Sequence, residues 1–207
     1  MNSRTAERFA SIVGRRTPVF EPLIAIAIVS LITTWAIQPY VVHALAQQGA
    51  PAQQAARAAL WISGVVSPLA AFGKALAAAL VCWACSVFLG ERLSLIKLVS
   101  VFCIAEMVFS LRDLTMLGVL AARGIDGVRT AADLMVAFGV NAFLNKPSPL
   151  QRVGFETWDL FSVAWTVVVF AMIRGVFNVS RRSAAMLAVL ALAFRVLFSA
   201  AALLYSL

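Results

Sequence analysis

An all-α, polytopic membrane bundle of five transmembrane helices, with short amphipathic helices at the interface, is the fold class this sequence predicts. Three observations carry it. The 207 residues are 62% hydrophobic and 13% charged, where a soluble domain runs at about a half apolar and a quarter charged. The apolar residues fall in runs of about 20, the length at which a helix crosses a hydrocarbon core. The 17 Lys and Arg outnumber the 9 Asp and Glu, and most of them lie between the runs, as in membrane proteins with basic cytoplasmic loops. A soluble enzyme, a disordered tail and a secreted disulfide scaffold are thereby excluded. The 7 Pro and 11 Gly are also too few for a low-complexity chain. The positive balance is read as loop charge facing lipid rather than as a nucleic-acid surface.

The chain divides into a basic amphipathic segment, residues 1–21, and a five-helix transmembrane domain, residues 22–207. In residues 3–16, Ala6, Phe9, Ala10 and Val13 share one helical face, and Arg4, Glu7, Arg8 and Arg15 point elsewhere. That is either a helix lying in the headgroup plane or a charged leader before a span. The first span covers about 22–45, opened by Pro22. Its end, Ala44-Leu45-Ala46, imitates a signal-peptide cleavage site, but the apolar run is too long for such a segment, and the reading is an uncleaved span.

Residues 47–63 are mixed, with Tyr40 and Trp61 where an interfacial aromatic belt belongs. The second span, about 65–89, has Pro68 in its first turn and is rich in Ala and Gly, which lets helix backbones approach closely. The turn Gly90-Glu91-Arg92-Leu93-Ser94 leads to a third span at about 95–121. Within the long connection that follows, Thr130 to Leu144 reads as a short surface helix ended by Asn145-Lys146-Pro147-Ser148-Pro149. The fourth span, about 157–177, and the fifth, about 183–206, are separated only by Asn178 to Arg182. They are therefore antiparallel neighbours, with Ser180 as N-cap of the fifth.

Charge sets the orientation. With the N-terminus in the cytoplasm, the inner segments hold Arg4, Arg8, Arg15, Arg16, Arg92, Lys97, Arg174, Arg181 and Arg182. The longer outer segments hold only Arg57, Arg123, Arg129, Lys146 and Arg152. The expected location is a bacterial inner membrane, N-terminus inside and C-terminus outside.

Six ionisable residues remain inside spans: Lys74, Glu106, Arg112, Asp113, Asp159 and Arg195. Each costs roughly 2.5–3.5 kcal/mol at mid-bilayer and therefore needs a partner or water. Depth along the helices suggests Glu106 with Arg195, Lys74 with Asp113, and Arg112 reaching up to Asp159. These are either interhelical salt bridges that fix which helix docks on which, or a polar path for a substrate or proton.

Catalytic signatures are absent from the sequence, which has neither H-E-x-x-H, G-x-S-x-G, Walker loop nor acidic metal cluster. The sole histidine, His43, cannot make a metal site alone. Cys82 and Cys85 have redox-pair spacing but sit mid-span, where packing is the reading; Cys103 is also within a span. Trp158, Phe161 and Trp165 are read as packing residues rather than a ligand platform. No cofactor is expected.

The segment Asp159-Leu160-Phe161-Ser162-Val163-Ala164-Trp165, with Gly175 and the turn to Ser183-Ala184, resembles the hallmark of the Yip-domain (Ypt/Rab-interacting) family. Gly90 to Ser94 resembles that family's link between its second and third helices, and Thr17-Pro18 and Glu21-Pro22 its Pro-containing N-terminal approach. One departure is Ala105-Glu106-Met107-Val108-Phe109, where the family often has a Tyr-Ser-x-x-Pro-like stretch. The resemblance spans about residues 15–205. It implies a non-enzymatic scaffold or accessory protein in membrane transport or trafficking. Its implied partners are membrane lipids and other membrane proteins, an ABC-type transporter among them, or further copies of itself, with no nucleic acid. The alternative is a small oligomeric transporter or channel built on the charged centre. A lipid-modifying enzyme would have to rely on Asp159 with Arg152 and Glu156.

Overall fold

The computed structural model describes residues 18–45, 50–128, 131–134, 138 and 159–204. Among these the chain is all-helical: α1, Phe20–Ala44; α2, Ala50–Phe88; α3, Leu95–Arg123; α4, Leu160–Phe177; and α5, Arg181–Leu204. Single 3-10 turns at Ile125–Gly127 and Ala131–Leu134 follow α3.

Three of the five helices, α1, α2 and α4, are long and apolar enough to cross a membrane. α3 differs because every 18-residue stretch of it holds at least three of Lys97, Glu106, Arg112, Asp113 and Arg123. α5 opens on Arg181-Arg182 and carries Arg195. Among the described residues, length and apolarity therefore account for three crossings, against the five expected from the sequence.

α2, α3, α4 and α5 form a closed ring, each packing on the next and α5 returning to α2, while α1 lies against α2 and α3. The core is built asymmetrically. α2 and α5 contribute small residues, Ala75, Ala78 and Ala79 facing Ala184, Ala188 and Ala191, whereas α3 and α4 contribute Phe102, Trp165 and Ile173. Small side chains let backbones close to contact distance, the favoured packing where lipid supplies no hydrophobic drive. Large rings then fill the remaining volume.

α2 corrects the sequence reading. It starts at Ala50, not near residue 65, and runs unbroken for 39 residues, about 58 Å at 1.5 Å per residue. The segment read as a mixed linker is rich in strong helix formers, among them Ala52, Ala55, Ala56, Ala58 and Ala59. Pro68 consequently sits mid-helix, where it cannot donate to the Gly64 carbonyl one turn back. Ser30 of α1 makes up the loss, its hydroxyl donating to that carbonyl at 3.2 Å. The same approach requires glycine: a Cβ on Gly64 would lie 2.5 Å from Thr34 Oγ1.

The tight turns follow their residues. Gly90 takes φ +71° and ends α2, with the Glu91 N–H donating to the Ser86 carbonyl at 2.9 Å, the helix-ending pattern that a residue with positive φ permits. Asn178 ends α4 in the left-handed region at φ 52°. Ser180 caps α5, its Oγ accepting from the Ser183 N–H at 3.0 Å, as its position in the sequence suggests.

Other expectations fall elsewhere. The amphipathic leader at 3–16 and the aromatic Trp158 lie outside the described residues, as do Arg152 and Glu156. Of the surface helix expected from Thr130 to Leu144, only residues 131–134 and 138 are described. The first four form a 3-10 turn, and the Phe138 ring meets Phe161 edge-on at 5.2 Å.

Candidate intramembrane charged centre

Glu106 stands 11 residues into α3, about 17 Å along its axis, and is buried to 5% exposure. Its Oε1 accepts twice: from Trp165 Nε1 on α4 at 3.1 Å and from Arg195 Nη1 on α5 at 2.5 Å. One carboxylate oxygen thus ties together three helices that are distant in sequence. Trp165 is itself 1% exposed and packs its ring on Phe102, centroids 5.9 Å apart.

Arg195 keeps 19% of its side-chain surface and gains a second kind of partner. Its guanidinium carbon lies 3.7 Å from the Phe109 ring centroid and 5.3 Å from that of Trp165. A cation over an aromatic face is stabilised by the ring quadrupole, by about 2 kcal/mol or more when water is excluded. The planar guanidinium can satisfy carboxylate and rings together, which a lysine ammonium cannot do as well.

A second pair lies toward the start of α4. Arg112 Nε stands 3.3 Å from Asp159 Oδ2. The other oxygen, Asp159 Oδ1, accepts the Ser162 N–H at 2.7 Å and so caps α4. The cap satisfies an otherwise orphaned backbone donor, and the helix N-terminus in turn favours the negative charge. Asp159 therefore has two structural tasks, ending the connection from α3 and holding α4 against α3.

The third pairing suggested by depth does not form. No ion pair joins Lys74 to Asp113 among the described residues. Lys74 is exposed on α2, and Asp113 is half-buried on α3. Lys74 instead lies at the mouth of a cavity of about 30 Å³ whose wall includes Glu106, Trp165 and Arg195. That volume holds about one water molecule, and its polar lining could hold one in place.

Of the residues that carry the family resemblance, Asp159 and Trp165 work as just described. Phe161 is buried under Phe138, and Gly175 is exposed near the end of α4. All three cysteines are free. Cys82 and Cys103 are buried and Cys85 is half-buried, and the Cys82 thiol points at the Leu187 carbonyl on α5 at 3.5 Å. Among the described residues, no cluster of His, Cys, Asp or Glu could hold a metal ion. Sequence reasoning missed the Trp165–Glu106 bond. The available signal was an indole donor at the sixth residue of α4, as far past Asp159 as Glu106 lies before Arg112.

No family model, curated protein or solved structure matches this chain.

Proposed function

We propose that this is an integral membrane protein with five crossing helices, N-terminus cytoplasmic in a bacterial inner membrane. In this reading it is a non-enzymatic scaffold or accessory subunit that works by lateral association with other membrane proteins in transport or trafficking. The resemblance to the Yip-domain family points the same way.

Two contacts at opposite ends of α3 support five crossings. Near its start the Ser100 hydroxyl donates to the Pro18 carbonyl, just before α1, at 2.9 Å. Just past its end, Ile125 shares a cleft with Gln38 and His43 of α1. α3 therefore runs parallel to α1 over the same height, and α1 is long and apolar enough to cross. α5, tied to the late part of α2 through Cys82 and to the middle of α3 through Glu106, covers the same layer.

The observation that carries the scaffold reading is that the buried carboxylates of the charged centre find their cations on neighbouring helices. Glu106 is shared between Trp165 and Arg195 beside a space for about one water, and Asp159, farther along α3, is shared between a helix cap and Arg112. Ions arranged this way hold helices in register and leave no room for cargo. The alternative, a small oligomeric transporter or channel, draws on Lys74, which adds a second cation beside Arg195 at a cavity with one carboxylate.

Purification of the full chain in mild detergent, followed by reconstitution of what elutes, tests this. A stoichiometric membrane-protein partner, with no ion or solute flux through liposomes carrying the chain alone, is the expected result. A homo-oligomer that conducts, and stops conducting in Lys74→Gln, would overturn it in favour of the transporter.

A further inference from the structure

We propose that the open cleft at the end of the bundle where α1 stops, α2 begins and α3 turns over is a binding site for a phosphate oxyanion, that of an anionic phospholipid headgroup or free phosphate. The cleft is open to solvent, with a volume of about 540 Å³. Its lining is two-faced. Gln38, His43, Gln53 and Arg57 supply hydrogen-bond donors and positive charge, and Pro39, Val42 and Ile125 form an apolar wall. Among the described residues no carboxylate lines it.

Arg57 is exposed and forms no ion pair among the described residues. A guanidinium left without a counter-ion presents a planar fork that matches phosphate oxygens two at a time. The first turn of α2, from Ala50 to Gln53, opens at the same end and adds the positive end of the helix dipole.

The depth suits a headgroup. The part of α2 from Val65 to Phe88 is about 36 Å long, enough for the hydrocarbon core. Arg57 lies eight residues before Val65, about 12 Å further out, with the exposed Trp61 one turn away. Trp at that level marks the membrane–water boundary, where lipid phosphates sit. A bound phosphodiester would meet Arg57 and Gln53, and its glycerol end the apolar wall.

The test uses the full chain in neutral detergent, titrated with dioctanoyl-phosphatidylglycerol and read by native mass spectrometry. Binding near one equivalent is expected, weakened at least tenfold in Arg57→Gln and unchanged in Arg92→Gln, an exposed arginine beyond the opposite end of α2. Gln53→Ala, which alters the same cleft without changing charge, is expected to weaken binding about threefold and carries the test should Arg57→Gln fold poorly. Displacement by equimolar inorganic phosphate would assign a free-anion site, and lack of displacement a lipid site; either supports the proposal. Equal binding by wild type and both cleft variants, or an equal loss in Arg92→Gln, would overturn it.

Discussion

Replacing Arg195 by Met probes the centre most sharply. The substitution keeps an unbranched apolar stem over Phe109 and Trp165 and removes the cation, leaving the Glu106 carboxylate with the Trp165 N–H as its remaining partner. Removing one member of a buried pair costs about 3–5 kcal/mol. Arg195 retains 19% exposure, so about 2–3 kcal/mol is expected here. Glu106→Gln keeps an acceptor for both donors but strands the Arg195 charge, for about 1–2 kcal/mol. The double variant removes both charges and retains the bond to Trp165, so it should lose only about 1 kcal/mol, a coupling of about 3 kcal/mol. Equilibrium unfolding of the four proteins in mixed SDS and neutral-detergent micelles, followed by circular dichroism, measures this cycle. Strictly additive losses would refute the argument that this pair docks α5 on α3.

Gly64→Ala should destabilise by about 1–3 kcal/mol through overlap with Thr34, measured by the same unfolding. In a Thr34→Ala background the loss should shrink, because the overlap with Oγ1 is gone, but not vanish, because the residue 34 Cβ stays 3.2 Å away. Asp159→Ala should cost about 1–2 kcal/mol through its lost cap, while Asp159→Asn, which retains a capping oxygen and loses the charge opposite Arg112, should cost about half as much. A membrane-permeant maleimide should modify Cys85 in the folded protein and reach Cys82 and Cys103 only on unfolding, as peptide mass mapping would report.

Much of this architecture is legible in residue order, and the rest fails for identifiable reasons. Apolar run length and turn residues locate all five helices, because in lipid the backbone must satisfy itself within each run. Depth counting brings Glu106 to Arg195 and Arg112 to Asp159 because height along a helix can be read from residue number. It does not bring Lys74 into an ion pair with Asp113. Rotation about the helix axis also matters, and Lys74 stands about 100° around α2 from the buried Ala75. The start of α2 was hidden by Pro68, which reads locally as a helix opening. What keeps the helix intact there, Ser30 donating to the Gly64 carbonyl, comes from a residue 34 positions away. The cleft with Arg57 and His43 is likewise assembled from three helix ends that no local pattern connects.

The central claim of the proposal is that α3 crosses the membrane despite its charges, with Glu106 and Arg112 paired inside the bundle. In a chain whose cysteines are replaced by serine or alanine, Glu91→Cys and Asp126→Cys bracket α3 in two loops. Labelling intact spheroplasts with an impermeant maleimide should modify Asp126→Cys directly and Glu91→Cys only after permeabilisation. Labelling of both from the same side would show that α3 does not cross, and would contradict the five-helix bundle.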